Sequence, residues 1–208
     1  MSGQLSAEVL VERNCLGLNR KYATSHRKPP NLHDDNYKLR QSSGMLIVSC
    51  ADPRVIPEQF LGFRVPDEKP LAIPVVRVIG GRAKRALTDI VGLDSFFGLS
   101  TVMIIHHTDC GLTHATNEKI RHILKQRLPE DPTIDTLEFG EIKKRVLPFF
   151  AARKSVSDKV FSLEMSVLED MQFLRNSPLV RADLVIKGYL YDLETGRLTE
   201  VNGDALSR

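Results

Sequence analysis

Thr101-Val102-Met103-Ile104-Ile105-His106-His107-Thr108-Asp109-Cys110-Gly111 joins a short apolar run to a turn that offers imidazole, carboxylate and thiol groups. The run from Val102 to Ile105 carries no charge, which predicts a strand buried on both faces. A second run of this kind, Met45-Leu46-Ile47-Val48-Ser49, also leads into a cysteine, Cys50, and continues as Ala51-Asp52-Pro53-Arg54. Between them lie a valine- and isoleucine-rich strand, Leu71 to Val78, broken by Gly80-Gly81, and a helical stripe through Leu87, Ile90, Val91 and Phe97 that stops near Gly98. Strand, helix and strand in this rhythm predict parallel pairing with right-handed crossovers. The expected fold is α/β: a central, mostly parallel β-sheet flanked by helices.

Outside this centre, Pro57 to Leu61 reads as a short helix and Glu118 to Arg127 as a longer one, followed by a Pro-rich loop at Leu128 to Pro132. Ser155 to Asn176 is expected to be a helix whose stripe Val156, Val160, Leu163, Val167, Met171 and Leu174 faces the core. Leu184 to Tyr191 reads as a strand, Glu194-Thr195-Gly196-Arg197 as a turn, and Leu198 to Val201 as the second strand of a hairpin. Ser6 can cap a helix ending near Leu16, and Ser25 to Ser43, with Pro29-Pro30 and Asp34-Asp35, lacks periodicity. These features divide the chain into an N-terminal helical arm and connector, 1–43, and one domain, 44–208.

The 208 residues carry 29 Lys and Arg against 26 Asp and Glu, a net charge of +3, with 42% hydrophobic and 26% charged residues. That composition fits a globular chain and excludes disordered and fibrous classes. No apolar stretch approaches the ~18 residues of a membrane span. The weak charge argues against a nucleic-acid partner, and the groups Arg82-Lys84-Arg85 and Lys143-Lys144-Arg145 read as solvated faces. The N-terminus lacks the layout of a secretory signal, so the expected location is cytoplasmic. Three cysteines, Cys15, Cys50 and Cys110, are too few for a disulfide scaffold.

Sites in open α/β sheets form at the carboxyl ends of strands, where Cys50 and Cys110 fall. His107 and Cys110 stand three residues apart, so an imidazole and a thiolate come to one side of a turn, a spacing suited to tetrahedral zinc (Zn2+). Cys50 would be the third ligand, leaving one position open, as in catalytic sites. Asp52 is the candidate fourth group, yet Arg54 can take its carboxylate through two parallel hydrogen bonds and keep it off the metal. Competing readings are a pair of small buried hydrophobes or a Cys50–Cys110 disulfide in a redox protein, although no Cys-x-x-Cys occurs. His106 is expected to pack or to bond a backbone carbonyl; His114 reads as a loop histidine near the site, with a proton relay the lesser of its readings.

Cys50-x-Asp52-x-Arg54 with His107-x-x-Cys110-Gly111 resembles the zinc signature of the β-class carbonic anhydrases. The run from His106 to Gly111 and the terminal stretch Gly188 to Leu198 resemble the short, divergent subclass that includes carbonyl sulfide hydrolases. The likeness covers roughly Gly44 to Val201. It implies a dimer or higher assembly, a homodimer or homotetramer, whose N-terminal helix embraces the partner. It implies zinc bound by Cys50, His107 and Cys110, a catalytic pair in Asp52 and Arg54, and Gly111 beside the substrate. Family members often have Arg-Asn-Ala-Gly where this chain has Arg77-Val78-Ile79-Gly80, so one polar group near the site is replaced by an apolar one.

By that resemblance a zinc-activated hydroxide attacks CO2 to give bicarbonate, and Asp52 orients the nucleophile. Carbonyl sulfide, or the related CS2, is an alternative substrate of the same site. A non-enzymatic zinc or redox module is a third reading, and it fits less well because a closed structural site needs four ligands and no Asp-Arg pair.

Overall fold

The computed structural model describes residues 7–26, 44–63, 73–139, 141–142 and 158–202. Strands β1 (Met45–Cys50), β2 (Val75–Val78), β3 (Thr101–His107), β4 (Val185–Tyr191) and β5 (Leu198–Glu200) form one sheet in the order β2-β1-β3-β4-β5. The first four are parallel and β5 returns antiparallel to β4, so the sheet is mostly parallel, as the alternation of strands and helices requires. The central strands β1 and β3 are the buried ones: Leu46, Ile47, Val48, Val102, Ile104 and Ile105 have no exposed surface. Uncharged runs therefore occupy the positions covered on both faces.

Register decides where the site opens. β1 pairs with β3 from Met45↔Thr101 to Ser49↔Ile105, whereas β3 pairs with β4 as far as His107↔Tyr191. Beyond Ile105, β3 is thus laddered only on its β4 side. Cys50 pairs with Val78 of β2 instead.

Helices α4 (Ala83–Phe97) and α6 (Asp158–Arg175) pack on one face, placing Ala86, Ile90, Leu163, Val167, Met171 and Leu174 against Leu46, Val48, Val102 and Ile104. Burying each of the larger aliphatic side chains stabilises the fold by roughly 1.5–3 kcal/mol. α4 ends at Gly98, whose left-handed conformation (φ 59°) lets its N–H reach Asp94 O at 2.8 Å. Gly188 of β4 is needed for close approach, because a Cβ there would lie 2.4 Å from both Val167 Cγ1 and Met171 Sδ. The opposite face carries a smaller cluster of Ile47, Phe63, Met103 and Ile105, with Phe60 of α3 (Pro57–Phe60) stacked on Tyr191 at 4.1 Å. α5 (Asn117–Arg127) is capped by Thr116, whose hydroxyl accepts from Lys119 N.

Several element ends differ from the sequence expectation. The arm does not stop near Leu16: α1 (Ala7–Val11) runs through one π turn (Glu12–Leu16) into α2 (Gly17–Ala23). Gly17 keeps right-handed helical dihedrals and bonds Glu12 O, so it continues the helix instead of ending it, and Asn19-Arg20-Lys21 extend it. β2 begins at Val75, not Leu71, because Pro74 has no N–H to donate; its carbonyl accepts from Ile47 N. Leu71 itself, Ser6, the segment 27–43 and the expected helix start at 155–157 lie outside the described residues. The Pro-rich loop passes into a 3₁₀ helix over Pro132–Thr136, opened by Asp131, which accepts from Thr133 N. Among the described residues, no helix is long and apolar enough to cross a membrane.

Candidate metal centre

The turn after β3 is tight because Asp109 adopts a left-handed conformation (φ 55°), unusual for a residue with a Cβ but tolerated best by Asp and Asn. That reversal folds Cys110 back toward His107, and Cys50 arrives from the end of β1. The ligand atoms of Cys50, His107 and Cys110 lie within 4.8 Å of one another, and all three residues are buried.

Each group is prepared for coordination. His107 Nδ1 donates to Thr108 O at 2.8 Å, which leaves the lone pair on Nε2. Nε2 is buried and has no hydrogen-bond partner among the described residues. Cys50 Sγ accepts from the backbone N–H of Asp52 (3.4 Å) and of Gly80 (3.3 Å). The hydrogen bond from Cys110, the neighbouring His107 imidazole and the Asp52 N–H hold the Cys50 thiol well below its ordinary range despite burial. The Cys110 thiol is pushed up by its bond to Cys50 and by burial. A buried imidazole lone pair with no protein donor, beside two cysteine sulfurs, is a donor set that fits a thiophilic divalent cation.

Asp52 and Arg54 form the pair expected of them. Arg54 Nε and N–H both reach Asp52 Oδ1 (3.0 and 2.9 Å), and Nη2 reaches Oδ2 at 2.8 Å. These bonds draw the Asp52 carboxyl down to about 2, so it is ionised at neutral pH. Arg54 also bonds Asp109, through Nη1 to Oδ2 (2.9 Å) and Nη2 to the backbone O (3.1 Å). The guanidinium thereby ties the loop after β1 to the turn after β3.

The structure adds Arg77, which pins the same loop from β2 by donating to the carbonyls of Cys50, Asp52 and Val55 at 2.6–3.3 Å. Its signal in the sequence was a lone cation inside a valine-rich strand. Gly80 and Gly81 both have positive φ, and a Cβ on Gly81 would lie 2.9 Å from Ile105 O. Gly111 is exposed and opens a 3₁₀ turn to Thr113 directly after Cys110. His114, also exposed, has Nε2 at 3.8 Å from Asp109 Oδ1. It helps to line a cavity of about 550 Å³ with Leu112, Thr113, Thr116 and Ile142.

His106 packs in the interior, as expected, with side chains as its polar partners. It is buried but does not settle on a backbone carbonyl; its ring nitrogens meet Ser166 Oγ (2.7 Å) and Asp170 Oδ2 (3.0 Å) on α6. The reason is alternation along β3, which sends His106 toward the helices while His107 points the other way.

An α/β sheet that presents two thiols and an imidazole at adjacent strand ends, with an arginine-bound aspartate beside them, has the donor set and the location of a metal site. A family model described as carbonic anhydrase matches residues 45–198, and the chain belongs to that family, in its β class. The carbon disulfide hydrolase of Acidianus sp. (strain A1-3) is 27% identical over 180 residues, covering 81% of this chain and 85% of that protein. The carbonic anhydrase of Glaciozyma antarctica aligns with 93% of this chain and 99% of its own, with 26% identity and a TM-score of 0.68. That of Streptococcus mutans aligns with 96% and 100%, with 28% identity and a TM-score of 0.66.

Proposed function

We propose that the chain hydrates carbon dioxide reversibly to bicarbonate and a proton, with zinc held by Cys50, His107 and Cys110 and with Asp52 and Arg54 as the catalytic pair. The observation that carries this reading is the unpartnered, buried Nε2 of His107 beside two cysteine sulfurs, while the nearby Asp52 carboxylate is engaged by Arg54. Zinc at such a site supplies an acidified water, and so a nucleophile at neutral pH. Asp52 Oδ2 accepts from one donor and keeps a lone pair to receive a hydrogen bond from the attacking oxygen, which orients it toward the substrate carbon. Arg54, anchored on Asp109, holds that carboxylate away from the fourth ligand position. Gly111 borders the substrate, and His114 passes the released proton to buffer.

A second reading, hydrolysis of CS2 or carbonyl sulfide by the same residues, draws support from the Acidianus relative and from Ile79. This half-exposed apolar side chain follows Val78, which stands where family members often carry asparagine. In both readings residues 44–208 form the catalytic domain of a cytoplasmic homodimer or homotetramer. The arm, with Val11, Leu16, Leu18 and Tyr22 exposed, would cover a partner subunit. Turnover of CO2, carbonyl sulfide and CS2 by one zinc-loaded preparation tests them. Faster CO2 hydration supports the first, preference for the sulfur compounds supports the second, and no turnover of any by zinc-loaded protein sinks both.

A further inference from the structure

A chain of buried polar groups lies behind the cysteine–histidine cluster, on the helix-covered face of the sheet. Asp170 Oδ2 lies 3.0 Å from His106 Nε2, in a hydrogen bond, and 3.2 Å from Arg82 Nε, in an ion pair, and the side chains of Asp170 and His106 are only 3% and 1% exposed. Ser166 Oγ, one turn earlier on α6, lies 2.7 Å from His106 Nδ1 and 2.7 Å from Leu163 O. Both ring nitrogens are thus gripped by residues four apart on one helix. Burying these groups is costly unless the arrangement is needed, and nothing in the proposed chemistry uses them.

Their location gives them a task. The β1–β3 ladder stops at Ser49↔Ile105, so no strand hydrogen bond fixes Cys50 relative to His107. The gap is bridged by the segment after β2. Gly80 donates to Cys50 Sγ, and Gly81 fits between the two strand ends, its Cβ position lying 2.9 Å from Ile105 O, 3.2 Å from His106 Cδ2 and 3.3 Å from Cys50 N. Arg82 follows and closes the ring onto Asp170, which in turn bonds His106. A continuous loop therefore runs from the Cys50 sulfur through Gly80, Arg82, Asp170 and His106 to the backbone of His107.

We propose that Asp170 is a positioning residue: through Arg82 and His106 it sets the separation of Cys50 and His107, and thereby the affinity and geometry of the metal site. The inference rests on the reading of Cys50, His107 and Cys110 as metal ligands. Outer groups that orient ligands typically change metal affinity by about 10- to 100-fold when removed. Asp170 acts one residue further out, so roughly 10-fold is expected.

The experiment compares wild type with Asp170→Asn, nearly the same in shape but unable to match the charge of Arg82. Zinc affinity is measured by chelator competition, and the Co(II)-substituted protein by its visible absorption. Wild type should bind one Co(II) with thiolate charge-transfer bands; failure here overturns the ligand reading itself, separately from the role of Asp170. Asp170→Asn should bind zinc roughly 10-fold more weakly and shift the Co(II) d–d bands. If it merely melts at a lower temperature, with affinity and spectrum unchanged, the residue only stabilises the fold and the proposal is wrong. Should Asp170→Asn fail to fold, Ser166→Ala, which releases one edge of the His106 ring, replaces it. A shifted spectrum with weakened affinity supports the proposal, and wild-type values overturn it.

Discussion

Gly81 has its Cβ position 2.9 Å from Ile105 O, so the strand ends that carry Cys50 and His107 stand as close to this segment as a side chain-free residue allows. Gly81→Ala meets both a left-handed backbone and a fixed carbonyl. It should cost about 2–4 kcal/mol, combining the ~1–2 kcal/mol left-handed penalty with overpacking. Gly98→Ala, with positive φ but open space around it, should cost only the first part. Urea unfolding of the two variants checks the difference, and equal losses would refute the close-packing argument.

Metal content follows from the cluster. Purified wild type should hold about one zinc per chain, and Cys50→Ala or His107→Ala should lose it, because two remaining ligands leave the tetrahedral set half empty. Elemental analysis decides the matter; full zinc in Cys50→Ala would exclude that residue as a ligand.

Asp52→Asn should keep its zinc but lose roughly 10²-fold or more in turnover, the usual scale for removing a positioned proton acceptor. Arg54→Ala should differ, since a freed Asp52 can take the open position, giving activity that returns only at high pH. Stopped-flow assays across pH separate the two. Wild-type rates in Asp52→Asn would reduce the aspartate to a turn residue.

Acid sensitivity should trace in part to Asp94, at the end of α4. Arg181 holds both its oxygens (2.9 and 3.1 Å) and Leu99 N donates to it, which lowers its pKa below the ordinary carboxylate value near 3.9. A depressed folded pKa means that the stabilisation is fully present above the unfolded value and disappears as pH falls through the folded one. The stability gap between wild type and Asp94→Asn should be constant above about pH 5, on the order of 1 kcal/mol or more, and should close below about pH 4. A gap independent of pH would mean that the carboxylate charge is irrelevant.

The uncharged runs ending at Cys50 and before His106 made the parallel centre legible, because only doubly covered strands tolerate such sequences. Spacing alone brought His107 and Cys110 to one turn. What stayed hidden depends on tertiary crossing. Asp170 lies on the same helical face as Val167 and Leu174, and a carboxylate on a buried stripe was a readable anomaly, but its partner is fixed only by how α6 crosses β3. The bond from Arg54 to Asp109 was equally hidden, since it needs the left-handed turn at Asp109. The arm reads too short because the chain turns polar after Leu16, although polar residues such as Asn19, Arg20 and Lys21 continue a helix readily.

The ladder geometry bears on how the protein comes into being. Cys50 and Cys110 stand about 60 residues apart in sequence, and parallel neighbours meet only after the crossover through α4 is in place. Closing so long a loop is slow and is rewarded by apolar contact among Leu46, Ile47, Ile104 and Ile105, not by the thiols. Small zinc modules need their ion to fold at all, whereas here the sheet must be assembled before the three ligands converge. Metal uptake thus becomes a late event on the folding route: the stripped polypeptide should keep its far-UV circular dichroism, and a newly made chain should acquire its ion only once the strands have met.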